Sequence, residues 1–149
     1  VSDSQEGKVY EITPDGDKTV LVEKATYANG LALNGDESLL FINLTLGNKV
    51  VMTPVAGKHR GKTRTAVGKL RAPDGIVPDG QGGYFICLFQ NGEVVRMAGK
   101  GETEKVAGGM NGPASPAFRD GVLYVTSLTG NGIYRIAAGE TEEDGAGGE

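Results

Sequence analysis

Two residues of this chain combine suitable chemistry with suitable placement: Asn29 in "TYANGLAL" and Asp74 in "APDGIVP". Each is followed by glycine. An amide oxygen and a carboxylate brought together are hard donors of the kind Ca²⁺ favours. The same Asn-Gly and Asp-Gly pairs are equally the ordinary residues of a tight turn. The choice between these readings depends on whether the fold carries both residues to one place.

The other reactive side chains point elsewhere. His59 is the sole histidine and Cys87 the sole cysteine. A Ser-His-Asp triad would have to recruit His59 from a basic segment, and no G-x-S-x-G, H-E-x-x-H or C-x-x-C pattern occurs. Cys87, inside "YFICLF", reads as a small core residue. "AGKHRGKT", residues 56–63, is one letter from a phosphate-binding loop. Such a loop must open a helix, but the next residues are Arg64-Thr65-Ala66-Val67-Gly68, with Pro73 soon after. Lys58, Arg60, Lys62 and Arg64 alternate, as on one face of a strand. The segment is expected to be a basic outer edge strand, whose charge discourages edge-to-edge pairing.

The elements that must position Asn29 and Asp74 are β-strands. Glycine is abundant, at 25 of 149 residues, with no collagen-like period, which indicates many tight turns between short strands. A net charge of −4 and a pI near 5.1 argue against a nucleic-acid surface. No apolar run approaches the ~20 residues of a membrane-spanning helix, so neither nucleic acid nor membrane is an expected partner.

The strands recur. "EGKVYEITPDG", "GNKVVMTPVAG", "NGEVVRMAGKG" and "NGIYRIAAG" are copies of one strand, and Val9, Val50, Val94 and Ile133 are separated by 41, 44 and 39 residues. A period near 40 with several strands per repeat is the mark of a β-propeller blade. Asp15-Gly16, Asn34-Gly35, Asp79-Gly80, Asn91-Gly92 and Asp120-Gly121 supply hairpin turns. "LLFI", "YFICLF" and "VLYVT" read as middle strands covered on both faces.

With strands named A to D outward from the channel, residues 1–22 give B, C and D of one blade. Residues 28–67 and 73–106 give two whole blades, and 114–136 give A, B and C of another. The expected fold class is all-β. A partial propeller spans 1–138, and residues 139–149, acidic and glycine-rich, form a disordered tail. Asn29 and Asp74 then hold the same repeat position, at the entrance to strand A, where successive blades converge on one mouth of the channel.

"YANGLALNGDESLLFIN", "APDGIVPDGQGGYFICL", "NGEVVRM" and "SPAFRDGVLYVTS" together resemble the SMP-30/gluconolactonase/luciferin-regenerating-enzyme-like family of six-bladed propellers. The resemblance implies a divalent metal at the channel mouth, Ca²⁺ first and Zn²⁺ or Mn²⁺ as alternatives. It makes Asn29 a metal ligand and Asp74 both a ligand and a general base. The implied activity is metal-dependent hydrolysis of a small-molecule lactone or ester. The family's metal-binding Glu lies in a first blade that the chain lacks, and Tyr84-Phe85 stands where the family often has Trp. Two other readings stay open: a non-catalytic propeller that presents its rim to a partner, and a strictosidine-synthase-like propeller. The strand count does not close a ring, so the chain is expected to be a fragment whose partner is the missing N-terminal blades, and to be inactive alone.

Overall fold

The computed structural model describes residues 1–99 and 101–137, and every regular element among them is a strand. The expected tail at 139–149 lies outside the described residues. The first sheet holds β1 (Ser2–Asp3), β2 (Lys8–Ile12) and β3 (Lys18–Val22). The second holds β4 (Ala28–Leu33), β5 (Leu39–Leu44), β6 (Lys49–Pro54) and β7 (Arg64–Gly68). The third holds β8 (Pro73–Pro78), β9 (Tyr84–Leu88), β10 (Glu93–Met97) and β11 (Thr103–Ala107). The fourth holds β12 (Pro113–Arg119), β13 (Val122–Ser127) and β14 (Ile133–Ala137). All pairs are antiparallel between consecutive strands, giving three-, four-, four- and three-stranded blades in an open arc.

The blades stack face to face through apolar side chains. Val9, Val22, Ile42 and Val51 join the first two, Val50, Ile76, Ile86 and Met97 the next two, and Phe85, Val94, Leu123 and Val125 the last two. β9 has neighbours on both faces and is buried at every position. β13 alternates instead, with Leu123 and Val125 buried and Tyr124 and Thr126 exposed. Its sequence is apolar enough for two covered faces, but the arc covers only one.

The basic segment corrects the reading of the sequence. Lys58 to Thr63 is not strand: the edge strand begins at Arg64, and the residues before it form a turn. Gly61, at φ +76, lies so close to the backbone oxygen of Leu21 that no side chain fits between them. Gly101, also at φ +76, meets Ala66 O in the same way one blade later. The C-to-D turn of a blade thus docks on strand D of the blade before it, and Arg60 adds an ion pair to Glu11 across that seam. The alternating charges reflect this docking turn and not a strand face. Asn34-Gly35 also departs from expectation, since the left-handed residue of that turn is Glu37 at φ 58. Asp120-Gly121 behaves as expected, with both residues at positive φ between β12 and β13.

At the same end of the third blade, Asp79 fastens its A-to-B turn. Its Oδ1 accepts N–H bonds from Gln81 at 2.7 Å and Gly83 at 2.8 Å, and its Oδ2 accepts Arg96 Nε at 2.7 Å. Burial opposes ionisation of Asp79, but these donors outweigh it and hold its pKa below the ordinary carboxylate value. A depressed folded pKa contributes stability that is present above the unfolded value, near 3.9, and lost as pH falls through the folded one. Asp79→Ala is therefore expected to destabilise the chain by about 2 kcal/mol at pH 7. The difference from the parent should shrink in acid, which urea titrations at pH 7 and pH 3 will measure.

Candidate functional site

Strand A of each blade carries a bulge at one register position. Ala28 pairs with Leu44 and Leu31 with Ile42, so Asn29 and Gly30 fill the irregularity. Pro73 pairs with Leu88 and Ile76 with Ile86, leaving Asp74 and Gly75 in the same place. Pro113 with Ser127 and Pro116 with Val125 put Ala114 and Ser115 there in the last blade. Bulges re-aim side chains, and these ones set Asn29, Asp74 and Ala114 in successive blades around the channel.

The glycines explain how closely these positions approach. A Cβ on Gly30 would stand 2.5 Å from Asp74 O, and one on Gly75 would overlap Ala114 O and Pro116 Cδ. Only a residue without a side chain lets the next strand A pack so tightly, so the Gly of Asn-Gly and Asp-Gly serves the contact between blades. None of these glycines has a positive φ.

Asn29 and Asp74 are brought together, both partly buried. The Asn29 side-chain amide stands near enough to the Asp74 carboxylate to favour its charged form, and its Nδ2 donates to Thr45 Oγ1 at 3.4 Å. Burial raises the pKa of Asp74, and the neighbouring Asn29 amide only partly offsets it. A carboxyl so placed is a better proton acceptor than an ordinary aspartate when ionised. As a cation site the pair supplies two hard oxygens, which fits Ca²⁺ chemistry but falls short of its 6–8 ligands. Among the described residues no three His, Cys, Asp or Glu side chains are grouped as a metal cage.

The remaining sequence candidates lie apart. His59 is exposed on the docking turn. Cys87 is fully buried, and burial, with a contribution from Asp74, pushes its thiol pKa up to about 12, which makes it unreactive. A cleft of about 730 Å³ opens at the end of the blades where Asn29 lies, between Ser4–Gly7, Glu23–Tyr27 and Leu46. Three polar residues around the site were missed by sequence reasoning. Ser2 Oγ donates to Asn29 O, Asn43 Nδ2 to Asp74 O and Thr45 Oγ1 to Pro73 O, each at 2.8 Å. The available signal was an asparagine inside the otherwise apolar run "LLFINL".

Blades built on this plan, with a polar pair at the inner bulges, define a β-propeller carrying a candidate cation site at its channel mouth. The family model for the SMP-30/gluconolactonase/LRE-like region matches residues 1–129, and the chain belongs to that family. A search of curated proteins by sequence found no match. Among solved structures, luciferin-regenerating enzyme is similar with a TM-score of 0.70 at 19% identity, over 87% of this chain and 51% of that one. The calcium-binding protein regucalcin from Agrobacterium tumefaciens gives 0.70 at 21% identity, over 80% of this chain and 43% of that one. A chain of a nidogen/laminin complex gives 0.79 at 15% identity, over 92% of this chain and 54% of that one. The chain thus spans about half the length of the structures it matches, and at these identities the likeness is one of fold. No helix among the described residues is long and apolar enough to cross a membrane.

Proposed function

We propose that this chain is a binding segment of an SGL-type propeller, presenting Asn29 and Asp74 as two oxygen ligands for a divalent cation at the channel mouth, and that it is not a catalyst by itself. The observation that carries this is the placement of Asn29 and Asp74 in equivalent bulges of adjacent blades, near enough for the Asn29 amide to act on the Asp74 carboxyl. Ca²⁺ suits the oxygen donors best, with Zn²⁺ and Mn²⁺ as alternatives. The calcium-binding character of regucalcin, which shares the fold, supports the choice.

When further ligands complete the site, the function is hydrolysis of a small lactone or ester. A bound cation supplies Lewis-acid polarisation of a carbonyl. Asp74, its pKa raised by burial, accepts the proton of an attacking water. Asn29, being neutral, leaves the charge of the site to the substrate. The purely non-catalytic reading is favoured by the absence of a third acidic or histidine ligand among the described residues. The likeness to a chain of a nidogen/laminin complex, in which one protein is bound to another, points the same way.

A panel of lactones and aryl esters, assayed with added Ca²⁺, Zn²⁺ or Mn²⁺, separates the two. The 149-residue chain is expected to bind Ca²⁺ weakly and turn over nothing. Metal-dependent turnover that disappears in Asp74→Ala would show that the chain is itself a hydrolase. Tight calcium binding by calorimetry would show that the ligand set is wrongly assigned.

A further inference from the structure

Strand B of each of the first three blades has one position that faces the next blade's bulge. Ser2, Asn43 and Cys87 share it, pairing with Val9, Val50 and Val94 on strand C. Ser2 Oγ donates to the carbonyl of Asn29, and Asn43 Nδ2 donates to the carbonyl of Asp74, each at 2.8 Å. Both bonds cross from one blade to the next and end on the peptide of a residue read above as a ligand. The third copy breaks the pattern in an informative way. Cys87 packs with Met110, Leu123 and Val125, and the following blade has Ala114, which carries no ligand oxygen. The donor is present where the next bulge bears a ligand and replaced by a thiol where it does not.

Asn43 holds this position at a disadvantage to the fold. It is 0% exposed, and its Oδ1 has no hydrogen-bond partner. A buried acceptor left unpaired is destabilising, and an aliphatic residue of similar size would avoid it. Rotating the amide gives no relief, because it would set Oδ1 against Asp74 O, acceptor to acceptor. The Asp74 carbonyl is thus held from two sides, by Asn43 Nδ2 and by the bare Cα of Gly30.

We propose that Asn43 is the positioning residue of the cation site, its amide N–H fixing the Asp74 peptide in the bulge that sets the carboxylate beside Asn29. This rests on the reading of Asn29 and Asp74 as ligands. Residues that orient metal ligands from behind typically change metal affinity by 10–100-fold when removed.

The test is Asn43→Thr against Asn43→Val in the full 149-residue chain. The two side chains have nearly the same shape and differ by one donor, and Ser2 shows that a hydroxyl at this position reaches the carbonyl. Ca²⁺ titrations are followed through the amide resonances of Asn29, Gly30 and Gly75, and backbone order parameters of Asp74 and Gly75 are measured without metal. The Thr chain is expected to bind Ca²⁺ within about threefold of the parent and the Val chain about tenfold more weakly. The Val chain, which leaves the Asp74 carbonyl without that donor, should also melt below the Thr chain, so the order parameters and not the melting temperature separate positioning from a merely structural role. Order parameters at Asp74 and Gly75 should fall in the Val chain alone. Equal affinity and equal order in the two variants would overturn the proposal. Absence of calcium-induced shifts at Asn29 and Gly75 in the parent would refute the ligand reading instead, and the order parameters would still decide the role of Asn43. Should the Val chain not fold, Asn43→Leu, which keeps the length of the amide without its donor, replaces it.

Discussion

Gly75→Ala is expected to destabilise the chain by about 3 kcal/mol, the upper part of the usual range for overpacking a close-packed interior. The added Cβ would fall on Ala114 O and Pro116 Cδ and within 3.1 Å of Ser115 Cα. Two of these atoms are backbone and the third is a proline ring, so no rotamer change relieves the overlap. β8 and β12 would have to move apart, which opens the buried seam between the third and fourth blades. Gly30→Ala meets the same obstacle one blade earlier, against Asp74 O at 2.5 Å and Ile76 N at 2.9 Å. Gly35→Ala is the control. Nothing lies within 4 Å of its added Cβ and its φ is not positive, so the change should stay within about 0.5 kcal/mol. Thermal denaturation should place Gly75→Ala roughly 10 °C below the parent. Parity between Gly75→Ala and Gly35→Ala would mean that the inner strands are not packed as closely as described.

The β-architecture was legible because a propeller writes its period into the chain. Val9, Val50 and Val94 prove to be register equivalents, each opposite the same strand-B position. The positions of Asn29 and Asp74 were readable for the same reason, since each sits in the bulge of its blade. What the residues could not announce depends on contacts between blades. Lys58 to Thr63 alternates like a strand, yet Gly61 must approach the backbone of Leu21, and this makes it a docking turn. The glycine after Asn29 or Asp74 looks like half of a turn pair, and its reason is a carbonyl of the following blade, about 40 residues away in the sequence. Asn43 was invisible as part of the site because its partner, the Asp74 carbonyl, belongs to another blade.

Asp74→Asn is expected to do two things at once: abolish cation binding and raise the stability of the metal-free chain. Burial raises the folded pKa of Asp74, and the nearby Asn29 amide does not compensate. Between the unfolded value, near 3.9, and the raised folded value, the native state binds more protons than the unfolded one. Stability contributed by this group is therefore full at low pH and is lost as pH rises through the folded pKa. At neutral pH the chain carries a partly desolvated carboxylate with a neutral amide nearby and, among the described residues, no ion-pair partner. Asparagine has the same shape and no charge, so the variant should melt roughly 2–4 °C above the parent at pH 7. The two should converge in acid. A cation reverses the balance, because it stabilises the ionised carboxylate and must displace its proton. Added Ca²⁺ should thus raise the melting temperature of the parent, more strongly above the pKa of Asp74 than below it, and leave Asp74→Asn unmoved. Scanning calorimetry of both chains across pH 4–8, with and without calcium, measures all of these effects. A variant less stable than the parent at pH 7 would mean that Asp74 holds the fold together. A variant that still responded to calcium would remove Asp74 from the site.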